Sequence, residues 1–297
     1  MLLETGIPFS YIIKKIKYEI IYIFLTGLAI VLITRQYSQL VPEIPYAIPT
    51  FLGTAISVIL SFKLSQSYDR WWEARKIWGS IVNDSRNLVL QLQSFTLPGN
   101  EAAIKNIAHK QIAWCYCLGN SLRQSDPVCE LEKYLTSDEL TIVSQHSNKP
   151  LALLSLIAQD VSILHTNNQL DTFSHIKVND TIVALTNSMG MAERIKSTVF
   201  PSTYRLFLHL IIYVFLISLS ISLRGLKSYF EIPILLVIGS FFFLLESTAR
   251  NLQDPFSNKP TDTAVTTIAR NIEINIKQLI GDTNVPQPLP AEKYYII

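Results

Sequence analysis

Ser67-Tyr68-Asp69-Arg70-Trp71-Trp72-Glu73-Ala74-Arg75-Lys76-Ile77-Trp78-Gly79 is the stretch whose reading decides the fold. It holds three of the chain's four tryptophans, set among Asp69, Arg70, Glu73, Arg75 and Lys76. It follows directly on an apolar run from Ile48 to Leu64, and no glycine or proline lies between Gly53 and Gly79. One helix therefore runs through both segments. Such a junction suits a helix leaving a bilayer, because an indole is apolar while its N–H needs a polar partner. At about 100° per residue, one narrow face runs from Thr54 through Val58, Phe62 and Ser65 to Asp69, Glu73, Lys76, Ser80, Asn83 and Asn87. That face is small and apolar at first and polar afterwards. Trp71, Arg75 and Trp78 lie roughly opposite its polar part. The plainer reading is an ordinary helix with a packed side and a wet side.

Composition agrees with a membrane protein. Of 297 residues, 49% are hydrophobic and 16% charged, against about 25% charged in ordinary soluble domains. The net charge of +2 argues against nucleic acid as a partner, since such proteins carry basic patches. The odd cysteine count, Cys115, Cys117 and Cys129, fits reduced thiols better than a disulfide framework. With His109 they match no standard zinc spacing, so packing within helices is expected, with no metal and no cofactor. No P-loop, Rossmann glycine pattern, His-Glu-x-x-His or Gly-x-Ser-x-Gly is present, so an enzyme is not expected.

Outward from the tryptophans, four helices should cross the bilayer, at about 16–35, 46–66, 205–223 and 230–247. Pro42, Pro45 and Pro49 separate the first two. Gly53, Thr54, Ser57 and Ser61 make the second too polar for a lipid-facing helix and suited to close packing or a wet path. His209 lies inside the third, where ionisable groups tend to be functional; Glu246 and Arg250 form an i,i+4 pair at the end of the fourth. Residues 67–204 and 248–297 read as helical and outside the membrane. Leu151 to Leu164 is too short to span and should be a buried bundle helix. Thr136 or Ser137 should cap a helix start. Asn179 to Thr198 is amphipathic, with Ile182, Leu185, Met189, Ala192 and Ile195 on one side. The excess of lysine and arginine on one side places both termini and the long middle region in the cytoplasm. Residues 1–9 carry no basic segment before an apolar core, so no secretory leader is expected.

Phe62, Tyr68 to Arg75 and Trp78-Gly79 resemble the core motif of the bestrophins, in particular their bacterial members. Ala192-Glu193-Arg194-Ile195, Pro201 with Tyr204-Arg205-Leu206, and Asp254-Pro255-Phe256 extend the likeness over most of the chain. The resemblance implies an all-α polytopic protein of the bacterial inner membrane, one intertwined domain over 1–297. It would be a homopentameric ion channel passing monovalent ions through a central pore. It further implies a hydrophobic neck at Thr54, Val58 and Phe62, with Thr54 departing from the family's bulky apolar pattern, and an inner constriction at Ile182. Trp71, Trp72 and Trp78 would anchor the helix at the interface and between subunits. Asp69 and Glu73 continue the neck face, and rings of carboxylates favour cations, whereas the family suggests chloride; the sign stays open at this point. Animal members bind calcium through an acidic cluster after the last span. Here that region offers only Asp254 and Asp262, short of the about six to eight oxygens calcium takes. The alternative class is a membrane-anchored scaffold whose cytoplasmic bundle binds a partner protein. A secondary carrier lacks its usual repeat of broken helices.

Overall fold

The computed structural model describes residues 8–37, 39–198, 201–225, 228–291 and 295–296. The part of the leader reading that falls on residues 1–7 lies outside these, as does Lys227, one of the few basic residues counted on the side away from the termini. The described chain forms ten α-helices: α1 Phe9–Lys15, α2 Lys17–Gln36, α3 Ala47–Phe95, α4 Glu101–Leu122, α5 Ser137–Gln145, α6 Lys149–Thr166, α7 Thr172–Ser197, α8 Ser202–Ser222, α9 Ser228–Gln253 and α10 Val265–Leu279. Four of them, α2, α3, α8 and α9, are long and apolar enough to cross a membrane. They match the four spans predicted, and the protein is an all-α, multi-pass membrane protein. α3 is the 49-residue helix expected from the tryptophan stretch. At 1.5 Å per residue it is roughly 70 Å long. It stops short of Pro98-Gly99, where Gly99 takes a left-handed φ of +92°.

The chain sorts into two compact units. One is built from Glu4–Arg70 and Val199–Gln253 and contains all the membrane-spanning sequence. Its core joins Ile23 of α2, Ile56 and Leu60 of α3, Ile212, Phe215 and Leu216 of α8, and Leu235, Phe242 and Phe243 of α9. Small residues let these helices approach closely. A Cβ on Gly239 would meet the Ile23 side chain at 2.8 Å, and one on Gly53 would meet the Phe215 ring at 3.1 Å.

The other unit is built mainly from Trp71–Thr198 and Asp254–Ile297. α4 packs on both α6 and α10. Its core includes Trp78, Ile81, Leu88 and Leu92 of α3 with Trp114, Ile157, Leu185 and Ile272. α6 is the buried bundle helix expected from Leu151 to Leu164, entered through an Asn148 cap. α5 starts at a capping box, with the Thr136 hydroxyl and the Glu139 carboxylate each accepting the other residue's backbone N–H. Cys115 and Cys117 are buried, and burial pushes both thiols up to about 12. At neutral pH they are packed, unreactive thiols. Cys129 is exposed.

Candidate functional site

α3 carries two different surfaces. Val58 is 50% exposed and Phe62 66% exposed, and Thr54, Ser65, Asp69, Lys76, Ser80, Asn83 and Asn87 are exposed with them. Across the wheel from them, Ile56, Leu60, Lys63, Ser67, Ala74, Ile77 and Trp78 are buried. The predicted face is therefore the one its own chain leaves uncovered. The Thr54 hydroxyl donates to the Thr50 carbonyl at 2.9 Å, and Ser57 to Gly53 at 2.8 Å. Hydroxyls turned back on the preceding turn have spent their donors on their own helix. Near Val58 and Phe62 the surface thus behaves as less polar than its letters suggest.

The residue after Phe62 points the other way. Lys63 is 3% exposed, and its ammonium donates to Glu246 Oε1 at 3.0 Å. Glu246 Oε2 lies 3.6 Å from His209 Nε2 and 3.9 Å from Arg250 Nη1. His209 stands edge-on to Phe243, with ring centres 5.5 Å apart. One carboxylate on α9 thus gathers a lysine from α3, a histidine from α8 and an arginine from its own helix. An ion pair removed from water is held only by good geometry and further polar partners, and Glu246 has both. A few turns on, Arg70 Nε donates to the carbonyl of Gln253 at 3.0 Å. That carbonyl belongs to the last residue of α9, where a cation suits the helix dipole. The Lys63 to Glu246 pairing escaped the sequence reading. Its signal was one lysine and one glutamate, each stranded in a different apolar run.

Beyond Arg70 the face turns polar. Glu73 forms an ion pair with Lys76 one turn on, at 2.5 Å. Asp69 makes no ion pair among the described residues, so it is the uncompensated carboxylate of the face. The three tryptophans divide. Trp71 Nε1 donates to the Thr261 carbonyl at 3.0 Å, and its ring stacks on Trp72 at 6.3 Å. Trp72 is 47% exposed. Trp78 has no exposed surface and sits in the core beside Gly119, so it packs inside its own unit rather than presenting itself to an interface.

Ile182, expected at an inner constriction, lies on the packed side of its helix. It is 7% exposed, on the side of α7 that holds Val178, Leu185 and Met189. The apolar residues α7 leaves exposed are Phe173, Ile176 and Val183. After the last span, Lys196 Nζ lies 2.9 Å from Asp254 Oδ2 and 3.3 Å from the Phe256 carbonyl. The chain's own ammonium takes up oxygens that a bound cation would need. Among the described residues, no group of three or more His, Cys, Asp or Glu side chains is placed to hold a metal.

Compared with known proteins, residues 5–278 match the family described as Bacterial/Fungal Bestrophin protein. The chain is 29% identical over 285 residues to the voltage-dependent anion channel-forming protein YneE of Escherichia coli, covering 96% of this chain and 93% of that one. It is 28% identical over 287 residues to YneE of Salmonella typhi, with the same coverage. Its fold superposes on the crystal structure of a bacterial bestrophin homolog from Klebsiella pneumoniae with a TM-score of 0.84. That match has 27% identity and covers 90% of this chain and 99% of the other.

Proposed function

The chain belongs to the bacterial and fungal bestrophin family, and from that membership we propose that it is a homopentameric channel of the bacterial inner membrane. Five copies of α3 surround the pore, monovalent ions cross passively, and both termini lie in the cytoplasm. Val58 and Phe62, with Thr54 above them, form the neck. The observation that carries this reading is the bare face of α3. Phe62 is 66% exposed in a helix whose other side is locked by Lys63, so the described residues leave it to be covered by something else.

The mechanism follows from what that face lacks. An ion entering a ring of apolar side chains finds nothing to replace its hydration shell, and a narrow ring breaks the water column. The neck therefore controls conduction by wetting and drying. Below it, Asp69 repeats around the axis as a ring of carboxylates, while Lys76 offsets Glu73. Such a ring favours cations. The relatives carry the name of anion channels, so on our reading this chain differs from that name through Asp69. The inner constriction belongs to the exposed side of α7, at Ile176 or Val183, and Ile182 supports it from behind.

The experiment is ion flux from liposomes holding the purified protein, with a reversal potential measured under a salt gradient. Passive, non-saturating flux with a cation-side reversal supports the proposal. An anion-side reversal removes the role given to Asp69. Absence of flux from well-folded oligomer favours the membrane-anchored scaffold.

A further inference from the structure

A cleft in the unit outside the membrane carries chemistry that conduction does not use. It has two lobes that share Asn120, Thr266 and Leu289 in their lining, with volumes of about 520 and 570 Å³. The extended tail after α10 forms one wall, through Pro286 and Leu289 in one lobe and Leu289 and Pro290 in the other. The rest comes from α4 and α10, the two helices that pack together in this unit's core, from the segment between Arg123 and Tyr134, and from Asn258.

The charges in the two lobes are unequally satisfied. In the first, Glu273 accepts hydrogen bonds from the Tyr116 hydroxyl at 2.7 Å, the Tyr134 hydroxyl at 2.8 Å and Lys277 at 2.9 Å. Arg270 Nη1 stands 3.6 Å from that saturated carboxylate, and its buried Nε has no partner. The described lining of the second lobe has no carboxylate, and Arg123 is its charged residue. Arg123 Nη1 donates to the Thr266 hydroxyl, while its Nε and Nη2 are buried without a partner. Asp262, the acid that acts on Arg123 through space, is engaged by the Lys259 N–H and the Ser257 hydroxyl. Burial pulls the Arg123 pKa down, and Asp262 only partly offsets it.

Buried donors left open are costly, and more so when charged. Three such nitrogens, on two guanidiniums bordering one cleft, find no acceptor among the described residues. A guanidinium presents its donors as a rigid planar fork that matches the oxygens of a carboxylate or phosphate. Asn120 and Thr266 add neutral polar groups, and the tail and the two tyrosines add apolar and aromatic walls. We propose that this cleft is a binding site for a small organic oxyanion, a phosphate or carboxylate ester-sized molecule, with its anionic group on Arg123 and its body under the tail. Because the tail is a wall of the site, occupancy should also hold the tail in place.

The test is titration calorimetry of inorganic phosphate into the detergent-solubilised full chain at constant ionic strength, set with chloride. Saturable binding is expected, weakened at least about tenfold in Arg123→Gln and less in Arg123→Lys, which keeps the charge but loses the fork. If Arg123→Gln does not yield folded protein, Asn120→Leu is the second variant, and it too should weaken binding. Protection of the tail from proteolysis by phosphate, lost in the same variants, is the second readout. The proposal is overturned if phosphate gives no saturable heat or if chloride reproduces the effect. It is equally overturned if Arg123→Gln binds as the wild type does while its oligomer falls apart, since a second copy would then be what fills the open donors.

Discussion

Phe62 and Lys63 are neighbours in the chain and opposites in environment. One is 66% exposed, the other 3%. A single step along a helix turns about 100°, and here that step separates two kinds of need. Lys63 finds its partner within the chain, in Glu246. Phe62 faces outward and stays mostly uncovered by the described residues. The same division runs the length of α3, with Leu60, Ala74 and Trp78 on the covered face and Val58, Asp69 and Trp72 on the bare one. The covered face explains why the unit folds. The bare face is where we place the function, because the described residues leave Val58 and Phe62 in the open.

If the division is right, substitutions on the covered face act on stability and those on the bare face on conduction. The largest effect is expected at Lys63. Lys63→Met leaves the buried Glu246 carboxylate with only the longer contacts to His209 and Arg250. Breaking one side of a buried pair costs about 3–5 kcal/mol, to be seen as a steep fall in the thermal midpoint. Adding Glu246→Leu should restore much of it, since an apolar pair of similar volume is often as stable. A double variant as unstable as the single one would mean that the charges do more than pair.

Next come the tryptophans. Trp78→Ala empties a fully buried site and should cost about 3–5 kcal/mol. Trp72→Ala should leave melting near that of the wild type and instead reduce the oligomer recovered on size exclusion. Equal losses of melting temperature in both would erase the contrast between the faces.

A smaller change in stability, within about 0.5 kcal/mol, is expected for Asp69→Asn on the bare face. Its effect belongs in the reversal potential, which should move toward the anion value. Glu73→Gln should move it less, because Lys76 already offsets that carboxylate. The smallest expected effect is at Asp84, half-buried on α3, whose pKa burial raises above the ordinary 3.8. A carboxyl with a raised folded pKa adds stability below its unfolded value and loses it as pH rises through the folded one. Asp84→Asn should therefore melt slightly higher at neutral pH, by well under about 1 kcal/mol after screening by solvent. It should show no gain below about pH 4. A gain that persisted at low pH would place its origin elsewhere than in the charge.

Much of this division was legible in the sequence, and the failures have physical causes. Unbroken helix through the tryptophan stretch follows from the absence of glycine and proline, and α3 bears it out. Ile182 is more instructive. Helical periodicity grouped it with Leu185, Met189, Ala192 and Ile195 on a packed side, while family correspondence put it in the passage. The structure bears out the periodicity, since Ile182 is buried and its neighbour Val183 is 56% exposed. Periodicity is a local property that one helix fixes by itself, whereas correspondence between distant relatives can slip by a residue and so change face. Trp78 misled for a related reason. A tryptophan near a membrane junction suits either an interface or a core, and only the packing of Gly119 and Trp114 from α4 decides. Lys63 with Glu246 could not be paired from the sequence at all, because 183 residues separate them and no pattern within one helix reaches so far.

The role given to Val58 and Phe62 is tested most directly by single-channel recording of Phe62→Ala, alone and with Val58→Ala, in planar bilayers. Removing bulk from a dry ring widens and wets it. Conductance or open probability should rise, most in the double variant, while the thermal midpoint stays near that of the wild type. Wild-type currents from well-folded double variant would contradict the neck, and would mean that the bare face of α3 covers something other than the path of the ions.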